Sequence, residues 1–346
     1  MESPTVAELV EAHRHHWATS AVEDEVFGKT DAASVGSWYE RLCASTLDST
    51  IRRGLFFAAS AKCALGVELE DGRQVVVKAY QRAWSLDILS AMSAAQARLA
   101  SAGFACPSPV GVPFIFEGVT ASVEHELPDP GMRTFEREEM AISAGALSEA
   151  HSLLANEDAQ PWVGRHALDR PKGALYPAPH SPLFDFSLNA EAAAWIDELA
   201  VAALKAMAED VSPPQIVHGD WSARNIRIAG GRLVASYDWD SLAAFPESRG
   251  VGIAAAIWRL TGEAGEPSAP DAQETEHYID AYVGAAGGAR GRTWHIAAMG
   301  SALSTLAYMA RCEHSLEARD ATQQHRRARN TLEADRQGFL TAIGGT

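Results

Sequence analysis

The 346-residue chain has no uninterrupted apolar run near the twenty residues needed to cross a bilayer, which excludes an ordinary transmembrane helix. Cysteine is sparse. Cys43, Cys63, Cys106 and Cys312 are scattered without paired spacing, so neither a disulfide framework nor a zinc site is written into the chain. Positive charge is short as well: 29 Lys and Arg against 45 Asp and Glu leave a formal net charge of −16. A nucleic-acid partner would want a basic face, and this balance argues against one. The start, Met1-Glu2-Ser3-Pro4, has neither a basic nor a hydrophobic stretch, which predicts no secretory signal and a cytoplasmic location. Nothing in the sequence speaks to oligomeric state.

What is present suits a two-part α+β protein. At 47% hydrophobic residues the chain can bury a large core, and its length favours division in two. Residues 1–50 read as helices, with Val6, Leu9, Val10 and His13 along one face of the first. Residues 51–127 read as a small antiparallel sheet with one helix over 85–102. Within it, residues 67–78 form a hairpin: an alternating strand, an Asp71-Gly72 turn and an apolar strand closing on Lys78. Residues 128–346 read as mainly helical, with helices over 135–154, 191–209, 252–260, 271–283 and 294–311 and a long polar one over 313–342. Between the first two lies a Pro-, Gly-, Trp- and His-rich stretch, 157–187, long enough to be a functional loop or a cover for the core.

The most informative segment is Val217-His218-Gly219-Asp220-Trp221-Ser222-Ala223-Arg224-Asn225, followed by Tyr237-Asp238-Trp239-Asp240. It sets an Asp, an Asn five residues later and a second Asp thirteen residues after that. Phosphoryl transfer asks for this set: one carboxylate to orient the attacking hydroxyl, an amide and a carboxylate to hold magnesium on ATP. Magnesium prefers oxygen ligands and takes few from the protein, which Asn225 and Asp238 can supply. Residues 215–217 read as a strand entering the loop. Residues 226–235, turning at Gly230-Gly231, read as a hairpin with the metal residues just outside its ends. His218 alone is better read as structural. His13, His15 and His16 have no matching second ligand group, which argues against a metal site there.

These motifs resemble the aminoglycoside phosphotransferase family, a bilobal group with the fold of protein kinases. The family pattern is His-Gly-Asp, four residues, Asn, and later Asp-Trp-Asp. Two softer likenesses accompany it, Leu147 to His151 and Gly103 to Pro107. The resemblance implies a protein-kinase-like fold and catalytic roles for Asp220, Asn225 and Asp238, the last two as Mg2+ ligands. It also implies ATP or GTP as phosphoryl donor. Lys78 would grip the α- and β-phosphates, Ser60 and Lys62 would cover phosphates, and the backbone from Glu124 through Glu126 would meet the adenine at the hinge. The acceptor would be a small molecule with a hydroxyl, cationic in the aminoglycoside case. A metabolite kinase and a non-catalytic nucleotide-binding relative stand as alternatives. No Asp-Phe-Gly or Ala-Pro-Glu follows the loop, which disfavours a protein kinase.

Three departures from the pattern matter. Residues 57–62 contain no Gly-x-Gly-x-x-Gly. The helix position that should carry a glutamate for Lys78 holds Met92, with Asp87 and Gln96 about a turn to either side. Where the family braces its loop with an Asp, this chain has Phe245 to Gly252, leaving Glu247 or Asp240 as candidates. Carboxylates at exposed helical spacing (Glu263, Glu266, Asp271, Glu274, Asp280, Glu313 and Asp320) read as solvated faces, as does the basic run His325 to Arg329.

Overall fold

The computed structural model describes residues 4–17, 19–128, 131, 136–164, 168–179, 184–261, 268–318 and 326–344. The chain divides into two compact units, 1–128 and 129–346.

The first unit starts with three helices, α1 (Val6–Trp17), α2 (Ala21–Phe27) and α3 (Ala32–Thr46). Thr5 and Glu8 form a reciprocal capping pair at the start of α1, and Asp31 caps α3 through Ser34 N at 2.7 Å. Five strands follow around one helix: β1 (Ile51–Ala59), β2 (Lys62–Leu69), β3 (Gln74–Tyr80), α4 (Leu86–Ser101), β4 (Phe114–Phe116) and β5 (Val119–His125). They pair in the order β1-β2-β3-β5-β4, all antiparallel. Gly72 makes the β2–β3 turn at φ +86°, where a side chain would be strained. Alternation sorts the two faces. Val75, Val77 and Ala79 of β3, with Ala121 and Val123 of β5, pack on Val10, Val35, Tyr39 and Leu42 of the first helices. Val76, Lys78 and Tyr80, with Ser122 and Glu124, occupy the other face. All four cysteines are free and buried, and burial pushes the Cys43 and Cys106 thiols up to about 12, so they behave as small hydrophobes.

The second unit contains α5 (Arg137–Leu154), α6 (Ala194–Met207), β6 (Gln215–His218), β7 (Ile226–Ala229), β8 (Arg232–Ser236), β9 (Leu242–Phe245), α7 (Glu247–Ile257), α8 (Ala272–Ala285), α9 (Arg292–Ala318) and α10 (Arg327–Ala342). Strand β6 pairs with β9, and β7 with β8, as two separate antiparallel ribbons. The sequence reading missed β9. It also gave residues 313–318 to the last helix, whereas they end α9. Glu313 there accepts from Ala328 N and Arg329 N at 3.1 and 3.0 Å, capping the start of α10. The basic run is likewise not a solvated face. Arg326 and Arg329 pair with Glu317, Arg329 also with Glu333, and Ala328 is fully buried; His325 lies outside the described residues.

Small residues let the long α9 sit close to its neighbours. A Cβ at Gly300 would stand 2.8 Å from the Ala206 methyl of α6, and one at Gly252 of α7 would fall inside contact distance of Ala298 O. Gly252→Ala is therefore expected to destabilise the protein by about 1–3 kcal/mol through overpacking, despite alanine's better helix propensity. Urea unfolding checks this; a neutral or stabilised variant would refute the close approach.

A buried polar chain ties α5, α7 and α8 together. Tyr282 OH donates to Glu247 Oε1 at 2.9 Å, Arg290 forks onto the same carboxylate at 2.8 and 2.9 Å, and His151 Nδ1 meets Tyr282 OH at 2.9 Å. Since the tyrosine proton is committed to Glu247, His151 donates from Nδ1 and is neutral. Burial, first among the causes, lowers its pKa to about 4 from 6.5. Between those values the unfolded chain binds more protons, so this stability is complete above pH 6.5 and fades as pH falls toward 4, by up to about 3 kcal/mol. Unfolding free energies at pH 7 and pH 5 should show that loss in the wild type and less of it in His151→Gln. Equal losses would exclude the histidine as its source.

Candidate active site

In the second unit the loop after β6 is built around a neutral histidine. His218 is 1% exposed and sits edge-on between Trp221 and Trp239, at ring distances of 5.4 and 5.0 Å. Its Nδ1 accepts the Asp220 N–H at 3.1 Å, which leaves Nε2–H to donate to Tyr237 O at 3.2 Å. Burial is the largest cause lowering its pKa, opposed by the charges of Asp238 and Asp220. His218 is thus a brace that joins the first carboxylate's backbone to the residue before the second. Trp221 anchors the loop to α5 by donating to Ser143 O and Oγ at 3.2 and 3.1 Å.

The loop then returns through Asn225 into the β7–β8 hairpin. Tyr237 N donates to Asn225 O at 2.7 Å, closing the hairpin mouth and bringing Asn225 and Asp238 onto adjacent backbone. Asn225 Nδ2 spends both hydrogens on Asp220, one on its carbonyl at 2.9 Å and one on Oδ2 at 2.8 Å. The amide oxygen Oδ1 takes part in neither bond, which leaves it as an oxygen that could meet a cation. Asp238 has φ +64° and ψ +40°, a left-handed conformation that Asp tolerates better than most residues. Its Oδ2 accepts Ser241 Oγ at 2.6 Å. One amide oxygen and one carboxylate make a donor set that fits a hard divalent cation, which completes its shell with water and phosphate. Among the described residues no group of three or more His, Cys, Asp or Glu gathers as a metal cluster.

Three residues that the sequence reading passed over complete this loop. Arg224 reaches Asp220 Oδ2 at 2.6 Å, a pair whose i,i+4 spacing was visible in the chain. Arg227 is buried, donates to the carbonyls of Ala223, Arg224 and Ile226, and lies over the Tyr237 ring at 5.2 Å. Ser241 holds Asp238. Of the candidate braces, Glu247 is committed to Tyr282 and Arg290, and the Asp240 side chain is buried.

In the first unit, residues 57–62 form no open loop. Strand β1 runs to Ala59, β2 begins at Lys62, and Ser60 N donates to Lys62 O at 3.1 Å in a tight hairpin turn. Ser60 is exposed and Lys62 half-buried at that turn. Lys78 is 5% exposed and pairs with Glu124, Nζ lying 3.1 Å from Oε1 and 3.1 Å from Oε2. Gln96 of α4 donates to Glu124 Oε2 at 2.9 Å and to Pro107 O at 2.8 Å. Met92 is buried apolar packing and Asp87 is exposed in the first turn. The backbone near Glu124 is largely committed: His125 N donates to Ser108 O at 2.9 Å and Glu126 N to Gln74 O at 3.0 Å.

Of the seven carboxylates that read from the sequence as solvated faces, Asp271 and Glu274 form the capping box of α8, with Glu274 also on Arg259. Glu313 caps α10 and Asp280 is exposed, while Glu263, Glu266 and Asp320 lie outside the described residues. No described helix is long and apolar enough to cross a membrane.

Residues 66–293 match the model of the phosphotransferase enzyme family (APH). No curated protein matches the chain in sequence. Among solved structures, an amicoumacin kinase in complex with AMP-PNP, Ca2+ and Ami aligns at a TM-score of 0.59 and 12% identity, over 89% of this chain and 96% of that one. A spectinomycin phosphotransferase in complex with ADP and spectinomycin aligns at 0.53 and 13%, over 89% and 93%. A choline/ethanolamine kinase family protein from Mesorhizobium loti aligns at 0.52 and 14%, over 90% and 98%. At such identities the likeness is one of fold, and the fold is the α+β, protein-kinase-like one.

Proposed function

Since the chain belongs to the APH phosphotransferase enzyme family and is a small-molecule phosphotransferase acting on hydroxyl groups, we propose that it moves the γ-phosphate of ATP, with Mg2+, to an aminoglycoside-like antibiotic. The observation that carries this reading is the Asp220, Asn225 and Asp238 arrangement around one hairpin mouth. Both donors on Asp220, Arg224 Nη2 and Asn225 Nδ2, take Oδ2. That fixes the carboxylate, and in this reading Oδ1 would accept from the acceptor hydroxyl. The hydroxyl oxygen attacks the γ-phosphorus, the bond to the β,γ-bridging oxygen breaks, and the hydroxyl proton passes to Asp220. Magnesium held by Asn225 and Asp238 would supply positive charge against the nucleotide's phosphates. Lys78 would grip the α- and β-phosphates, with Ser60 and Lys62 near the phosphate chain and the Glu124–Glu126 backbone toward the base. Nucleotide complexes among the structural neighbours support a nucleoside triphosphate donor; the amicoumacin kinase and the spectinomycin phosphotransferase support an acceptor of that kind, as the choline/ethanolamine kinase family protein supports the metabolite alternative. The non-catalytic alternative loses its main motive, because Lys78 has a carboxylate partner despite Met92.

ADP release should be stimulated by at least one compound in a panel of aminoglycosides, amino alcohols and sugars. Asp220→Ala should lower that rate about a hundredfold or more while ATP binding survives. Unchanged turnover in this variant would sink the assignment. Asp238→Ala should shift the Mg2+ dependence of nucleotide binding to higher concentration, read by a magnesium titration; a wild-type curve would remove Asp238 from the metal.

A further inference from the structure

In the small-lobe sheet, Lys78 stands opposite Ser122, and Glu124 is two residues further along the same strand, opposite Val76. Two residues along a strand restore the same face, so Lys78 and Glu124 are diagonal neighbours on one face of one sheet. The contact is two-pronged, 3.1 Å to each carboxylate oxygen, and both side chains are more than nine-tenths buried. Gln96, from the face of α4 that meets the sheet, fixes the second oxygen and is itself fixed by Pro107 O. A buried ion pair of this kind rarely improves stability over apolar residues of the same volume, because removing two charges from water offsets their attraction. Its retention beside Met92, an apolar residue where a helix carboxylate would be expected, calls for a role other than folding.

We propose that Glu124 is the positioning residue for Lys78, replacing a carboxylate from α4 with one from β5. This rests on the nucleotide-phosphate role given to Lys78 above. The consequence is specific. A clamp whose two halves are neighbours in one sheet is assembled whenever the sheet is folded, and no movement of α4 is needed to bring the carboxylate to the lysine. Helix α4 contributes a neutral amide that orients the carboxylate, not the charge itself. The Glu124 carboxylate acts on the nucleotide only through Lys78, so the effect of changing this side chain falls on the phosphates and not on the base.

The test compares Mg2+-ATP with adenosine by titration calorimetry, which needs no acceptor. Glu124→Gln should weaken ATP about tenfold and leave adenosine unchanged. Lys78→Met should do the same, and Lys78→Met with Glu124→Gln should be no weaker than Lys78→Met alone. Glu124→Gln with Met92→Glu, which returns the carboxylate to the helix, should recover most of the loss. Because Glu124→Gln alone leaves a buried lysine without its carboxylate and could fail to fold, the Lys78→Met pair of variants keeps the proposal refutable. Further weakening of ATP in that double variant, or equal loss of ATP and adenosine in Glu124→Gln, would overturn it. If the wild type itself binds ATP no better than adenosine, the phosphate role of Lys78 fails first. That outcome is distinct from one in which Lys78→Met weakens ATP and Glu124→Gln does not.

Discussion

One backbone hydrogen bond, Tyr237 N to Asn225 O at 2.7 Å, sets where the second unit can carry chemistry. Phosphoryl transfer asks little covalent work of the protein and much positioning, so oxygen ligands must be held before any cation arrives. By closing the β7–β8 hairpin at its mouth, this bond places an amide and a carboxylate from residues thirteen apart on neighbouring backbone. Everything around it holds that mouth shut. The His218 ring links Asp220 N–H to Tyr237 O, Ser241 fixes Asp238, and Arg227 donates to the carbonyls of Ala223, Arg224 and Ile226. Asp238 adopts a left-handed backbone conformation of the kind that costs energy and persists where surrounding contacts over-determine it.

The first unit solves a different problem, how to hold a lysine side chain that has been taken out of water. Lys78 shares its face of the sheet with Ser122 and Glu124, and the opposite face is given to the apolar contacts of α1, α2 and α3. Pairing within one sheet ties the geometry of the clamp to strand register, and a register error of one residue would turn both side chains into the apolar layer. That penalty makes the clamp as rigid as the sheet. A helix-borne carboxylate has no such guarantee, since packed helices slide and turn more easily than paired strands slip.

How much of this was legible follows from the range of each interaction. The loop after β6, the β7–β8 hairpin and the β2–β3 hairpin were readable because their signals are local: Gly230-Gly231, Asp71-Gly72 and the fixed spacing of Asp220 and Asn225. The partner of Lys78 was not, although β5 spells out its alternation. Thr120, Ser122 and Glu124 are polar where Ala121 and Val123 are apolar, but only the pairing of β3 with β5 across 46 residues tells which lysine that face meets. Strand β9 was hidden for a related reason, since Leu242–Phe245 is a buried apolar run without alternation, indistinguishable by period from the start of the next helix. The split between α9 and α10 escaped because Glu313 looks like a surface residue in a polar helix until α10 is seen to end its backbone on it.

The same long-range commitments change what the acidic composition means. A charge of −16 invites the idea of an acidic acceptor pocket, since carboxylates concentrate cationic substrates. Of the described candidates, Asp271 and Glu274 are occupied in capping a helix, Glu274 also holds Arg259, and Glu313 is buried as a cap with its pKa raised to about 7 chiefly by desolvation. A carboxylate already accepting backbone N–H groups has little left to offer an amine, and Glu313 at that pKa is partly protonated near neutrality. Helix capping, not substrate attraction, is what these carboxylates do. On the loop after β6 a fixed cation, Arg224, is held against Asp220. Its position four residues after Asp220 sets opposed charges side by side, so the loop presents a paired group there and not a bare carboxylate.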